Sequence, residues 1–182
     1  MWIQTHLRIA RLSLKKMDEI FTTDKKMGKV NRVMFCLGSM APDMSPIQFK
    51  HPHMYEDSSD YIFSNMDKLQ NKKKIGLLSS YELGKSIHYL CDFCCYAHRV
   101  ERNETLMEHM RYEKYLDKYI RENFDDLKEK TKCDNMENKD SREINLYIYS
   151  LISDDEIRVP SYRKDITKSV KVITALCQSI PT

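Results

Sequence analysis

All six histidines of the 182-residue chain fall in its first 109 positions: His6, His51, His53, His88, His98 and His109. Four of them have a carboxylate or a second histidine at a spacing that suits a shared metal ion. His88 and Asp92 are four residues apart. On a helix that spacing puts both side chains on one face, one turn from each other. His109 and Glu113 repeat the pattern, and His51 and His53 bracket Pro52 in the same segment as Asp43. Imidazole and carboxylate donors suit zinc, with iron or manganese as possible substitutes. The chemistry such a set supports is Lewis-acid chemistry at a bound metal.

Any one of these pairs is weak, because 27 acids among 182 residues put an acid four places after about one histidine in seven by chance. Asp92 is the exception. It stands among Leu90, Cys91 and Phe93, in the most apolar stretch of the chain. A buried carboxylate with nothing basic beside it is costly unless it is paired or bound to metal. The cysteines offer a competing site. Cys91, Cys94 and Cys95 contain one C-x-x-C, but a matching second pair is missing, since Cys36, Cys133 and Cys177 stand alone. They read as small buried thiols, reduced rather than bridged.

The elements that must position these residues are helices. Hydrophobic residues are 41% and charged residues 31% of the chain, with only 4 glycines and 5 prolines. A sandwich or barrel would need more turn residues than that. Gly28, Gly38, Gly76 and Gly84 are too far apart for a phosphate-cradling loop. The pattern predicts an all-α chain, a compact multi-helix single domain over 1–182, with the metal site built from 1–113 and the helices of 141–179 packed on it. Helical periodicity marks 4–22, with Leu7, Ala10, Leu14, Met17 and Phe21 on one stripe. It marks 25–39 next, with Val30, Val33, Met34 and Leu37 as its apolar set and Gly38 as its end. Pro42 and Pro46 then predict a long loop over 39–57. A third helix starts near Ser58 or Ser59 and ends before Lys72. A fourth, Ser79 to about Cys95, is the central one. A fifth runs from an Asn103 cap to about Lys130. After a polar loop over 131–140 come helices over 141–153 and 162–179.

Charge adds little, because 30 basic against 27 acidic residues leave a formal +3. The basic stretch 158–182 reads as a solvated helix face. No run of about 18 apolar residues offers a membrane span. The first sixteen residues lack the features of a signal peptide. A cytoplasmic location is the expectation, or an exported one if a leader has been cleaved.

The segment from Gly84 to His98, GKSIHYLCDFCCYAH, resembles the central helix of the bacterial zinc-dependent phospholipase C family. That family's pattern is a Gly, then H-Y-L-x-D, then a further His six residues on. A more distant similarity extends to the fungal single-strand-specific zinc nucleases. His6, the Asp43 of an A-P-D segment, His53 at the head of His-Met-Tyr-Glu-Asp, and His109-x-x-x-Glu113 follow in family order over about residues 1–120. The resemblance implies two to three zinc ions. One would take Asp43, His53, His88 and Asp92, and a second His98, His109 and Glu113. A third would take His6, a bridging Asp92 and the main-chain groups of Met1. The family's own terminal ligand is a tryptophan, and Trp2 here is one place off. His51 is expected outside the ligand set.

The activity implied is phospholipase C-like hydrolysis of a phosphodiester by a hydroxide shared between zincs, with Asp43 as the group that orients or deprotonates it. The aromatic residues of choline-recognising members are replaced by Met44 and Lys50. A choline cage is therefore unmatched, and Lys50 would favour an anionic headgroup or a nucleotide phosphate. The expected partner is a phosphodiester substrate, at a membrane surface in the lipid case. The alternatives are a zinc nuclease or nucleotidase acting on single-stranded nucleic acid, and a non-catalytic helical binding module stabilised by metal.

Overall fold

The computed structural model describes residues 1–22, 26–45, 52–98, 105–154 and 160–181. Among these residues the secondary structure is helical, as expected. The helices are α1 (Ile3–Ile20), α2 (Lys29–Met44), α3 (Tyr55–Gln70), α4 (Leu77–Phe93), α5 (Leu106–Glu122), α6 (Phe124–Lys130), α7 (Ser141–Ser153) and α8 (Tyr162–Gln178). A single 3-10 turn, Tyr96–His98, follows α4. The starts of α5 and α7 are fixed by reciprocal caps. Thr105 and Asp140 accept from the backbone N–H groups of Glu108 and Glu143, whose carboxylates accept in return.

The central helix is α4, packed against α1, α2, α3 and α8. Leu83, Ile87, Tyr89, Leu90, Cys91 and Phe93 are all buried in it. Its closest neighbour is α2, and glycine sets the approach. A methyl group on Gly38 would overlap the Tyr81 carbonyl oxygen and stand 2.9 Å from Gly84 Cα. One on Gly84 would overlap the Phe35 carbonyl oxygen and stand 2.8 Å from Gly38 Cα. Backbone meets backbone at this crossing, and only glycine fits on either side.

Three expectations are corrected here. First, α2 does not stop at Gly38 but continues through Met44, so the predicted loop over 39–57 begins later and ends earlier. Pro42 lies inside the last turn. Its missing N–H forfeits one backbone bond there, while the packed face it shares with Phe35, Gly38 and Ser39 keeps the turn wound. That face replaces the predicted one, because small residues let α2 press on α4. Val30, Val33 and Leu37 are exposed in consequence.

Second, α3 begins at Tyr55. Third, the predicted fifth helix is capped by Thr105 and breaks at Asn123 into α5 and α6. Asn103, its predicted cap, lies outside the described residues, as do Pro46, Lys50 and His51. All six cysteines are free thiols, with Cys91, Cys94, Cys95 and Cys177 buried. No described helix is long and apolar enough to cross a membrane.

The glycine crossing yields a direct test. Gly84→Ala should lower the free energy of unfolding by about 1–3 kcal/mol, the usual range for forcing atoms into a packed contact. Gly28→Ala, where an added methyl meets nothing within 4 Å, should change it by less than about 1 kcal/mol. Urea unfolding of the two variants measures the contrast.

Candidate metal centre

Helices α1, α2, α4 and α5, with the segment before α3 and the turn after α4, bring the predicted ligands to one end of α4. The α2–α4 crossing places the Ser39 carbonyl oxygen 2.9 Å from His88 Nδ1. A carbonyl can only accept, so Nδ1 carries the proton and Nε2 presents its lone pair. That Nε2 lies 3.5 Å from Asp43 Oδ1, 3.3 Å from Asp92 Oδ2 and 3.4 Å from His53 Nδ1. His53 Nδ1 is 3.0 Å from Asp92 Oδ2 and 3.7 Å from Asp43 Oδ1. Asp43, His53, His88 and Asp92 thus converge, with Asp43 on the last turn of a helix rather than on a loop.

The α4–α5 side supplies a second group. Glu113 Oε1 lies 2.9 Å from His109 Nε2, four residues away on α5, and 3.1 Å from His98 Nε2. A third group comes from α1. His6 stacks on the His88 ring at 3.7 Å between centroids, and its Nε2 is 3.4 Å from Asp92 Oδ1. The Met1 amine is 2.7 Å from Asp92 Oδ1, 2.9 Å from His98 Nε2 and 3.0 Å from Glu113 Oε1. It therefore touches the second group as well as Asp92. The ligand atoms of His6, His88 and Asp92, of Asp43, His53 and His88, and of His98, His109 and Glu113 each lie within 4.8 Å of one another.

The electrostatics suit a cation. Burial pulls the His88 imidazole well below its ordinary value and lowers His98 to about 4, so both rings are neutral donors at pH 7. Burial would raise Asp92, but His98, the Met1 amine, His6 and His88 overcome it and hold the carboxyl well below the usual range. Glu113 is likewise held down against burial by its hydrogen bonds from His109 and His98. Asp43 goes the other way, raised by burial. Burial would also lower the Met1 amine, but Asp92 and Glu113 push it up to about 11.

Both ring nitrogens of His6 and Asp43 Oδ2 are buried without a hydrogen bond. Unmet donors and acceptors at such depth are costly, and a metal ion would satisfy them. The side chains present fit zinc in donor type and convergence, with His88 and His98 neutral, and the Met1 amine would give up its proton to join them. The group opens to solvent through a mouth of about 510 Å³ lined by Met1, Asp43, Pro52, His53, Met54, His98, His109 and Glu113.

With this geometry in place, the comparison that decides the family is one of sequence: the family model for zinc-dependent phospholipase C matches residues 5–162. The chain belongs to that family. No curated protein and no solved structure matches it. Family membership carries zinc dependence and the hydrolase class, and it spans every described histidine of the centre.

One residue of the site escapes sequence reasoning. Asp165, on α8 and beyond the matched stretch, is buried. Its Oδ2 accepts from Tyr112 Oη at 2.8 Å and from the Tyr96 backbone N–H at 3.1 Å. Tyr112 precedes Glu113 and Tyr96 opens the turn that carries His98, so Asp165 ties together the two arms of the second group. Its partners are 53 and 69 residues away, and a lone acid in a basic helix gives no local signal of them.

Burial raises Asp165 to about 6 despite these hydrogen bonds. An aspartate in the unfolded chain titrates near ~4. Folding therefore takes up a proton between those values. The group's contribution to stability falls as pH rises from about 4 to about 6 and is flat above. Asp165→Asn cannot titrate. The unfolding free energy of wild type relative to this variant should fall by roughly 2–3 kcal/mol between pH 4 and pH 7. Urea titrations across that range read the difference, and a constant offset would contradict the assignment.

Proposed function

We propose that the chain is a zinc-dependent phosphodiesterase that hydrolyses a phospholipid-like ester in the manner of a phospholipase C. The observation that carries this reading is the convergence of three donor groups on the buried Asp92 beneath an open mouth. In this reading Asp43, His53, His88 and Asp92 hold one zinc. His98, His109 and Glu113 hold a second, and the Met1 main chain, His6 and Asp92 a third. Zinc bound there would lower the pKa of water and neutralise charge on phosphoryl oxygens.

The chain's own part is to position and to move protons. The Ser39 carbonyl fixes the His88 tautomer, as such partners commonly do for metal-binding histidines. Asp43 sits at the mouth with Oδ2 free of hydrogen bonds, where it accepts the proton of the attacking water. Its raised pKa makes it a stronger base than an ordinary aspartate. Its place on the α2–α4 packed turn holds that oxygen in position before substrate arrives. Pro52 and Met54 add an apolar edge to the mouth. The open mouth favours a catalyst over a binding module, and the family favours a lipid phosphodiester over a nucleic acid.

The test is metal analysis of the purified protein, then turnover of a panel covering phospholipid headgroups and single-stranded nucleic acid. Two to three zincs and lipid phosphodiester turnover are expected. Zinc-loaded protein inert on the whole panel would leave the binding-module reading in its place. Asp43→Asn keeps the shape and one oxygen donor. It should retain most of the zinc and lose about 10²–10⁴-fold in rate, the range for a positioned base. His88→Ala should lose metal and thermal stability together, read by metal content and melting temperature.

A further inference from the structure

A second concave feature lies along α1. Its lining is Arg8, Arg11, Lys15, Arg32 and Arg121, with Leu14 and Phe124 as an apolar floor, and its volume is about 510 Å³. Three of these cations are held in place. Arg8 pairs with Asp117, and its other nitrogen reaches Gln4 at 3.2 Å. Arg32 grips Asp18 with both terminal nitrogens and the Met27 carbonyl with Nε at 2.9 Å. Lys15 lies over the Phe124 ring at 5.7 Å. Arg11 and Arg121 form no ion pair among the described residues, so two guanidinium forks remain open.

Five cations against two carboxylates leave three positive charges in this groove, equal to the formal net charge of the whole chain. The concentration is local. The groove also lies along the same α1–α5 seam as the metal centre. The Met1 amine meets Glu113 on α5 at 3.0 Å. One helical turn on, Thr5 Oγ1 donates to Asp117 at 3.1 Å, and Arg8 pairs with the same carboxylate. Asp117, one turn of α5 or about 5–6 Å beyond Glu113, thus links Arg8 of the groove to the centre's edge.

We propose that this groove binds the phosphate of an anionic phospholipid headgroup and so holds the protein against the surface that bears its substrate. Guanidinium forks match phosphate oxygens geometrically, and those of Arg11 and Arg121 have no carboxylate on them among the described residues. The floor favours lipid over nucleic acid. A strand of bases needs successive aromatic faces to stack on, whereas the one ring here, Phe124, is covered by Lys15. The choice of lipid rests on the phospholipase reading, and binding is measured apart from turnover.

The test uses the full-length, zinc-loaded protein. Vesicles of phosphatidylcholine alone are compared with vesicles containing one part in three of phosphatidic acid, a phosphomonoester that a phosphodiesterase leaves intact. Co-sedimentation should favour the anionic vesicles and weaken as salt rises. The double variant Arg11→Gln/Arg121→Gln should weaken binding about 10- to 30-fold, as expected for two cations near an anionic surface. It should leave turnover of a short soluble phosphodiester unchanged, since neither arginine lines the mouth. Equal binding to both vesicle types, or equal binding by wild type and variant, overturns the proposal. So does a single-stranded oligonucleotide, or inorganic phosphate at micromolar concentration, that displaces the protein from anionic vesicles and loses affinity in the variant. If soluble turnover is absent while anionic vesicle binding responds to the variant, the groove stands and the catalytic reading falls.

Discussion

A carboxylate with no exposure to water anchors this molecule. Asp92 is fully buried, and a charge so placed survives only among groups that compensate it. The compensation arrives from every side. The amine of Met1 lies against Oδ1, His6 and His98 approach the same oxygen, and His53 and His88 approach the other. These groups are drawn from the start of α1, the segment before α3, the body of α4 and the turn after it. The position of one side chain therefore dictates how four parts of the chain meet.

The glycine crossing makes that meeting possible on the α2 side. Gly38 and Gly84 bring two backbones to within a methyl group of overlap. The residues just past the crossing then become partners: Ser39 with His88, and Asp43 with His88. Larger residues at the crossing would move the Ser39 carbonyl away from the His88 ring and leave the imidazole's protonated nitrogen undefined.

Two of the juxtapositions at the site are legible in the sequence because their signal is local. His88 with Asp92, and His109 with Glu113, advertise one helix face by spacing alone, and the apolar neighbours of Asp92 announce its burial. Gly38 suggests a stop because glycine ends many helices. Its use here, close approach, depends on a helix more than forty residues later. For the same reason the spacing points Val30, Val33 and Leu37 to the core, whereas they are exposed. An apolar set with helical spacing was present, but a face of small residues packed instead. Asn123 broke a helix whose apolar period ran straight through it. Asp165 was invisible for the opposite reason: nothing near it in sequence hints at Tyr96 or Tyr112.

Charge is segregated across the α1–α5 seam. On one side Asp43, Asp92 and Glu113 gather around His88 and His98, whose imidazoles burial shifts toward the neutral form. That excess of negative charge, only partly met by the Met1 amine, is what a divalent cation would answer. On the other side lie the arginines of the groove. Asp117 stands between the two regions, taking Thr5 and Arg8 from α1. A free guanidinium among the ligands would compete with metal for Glu113 and Asp92. Arg8, two residues after His6 on α1, is held on Asp117 instead, so the arginines and the carboxylates around Asp92 share one pair of helices without neutralising each other.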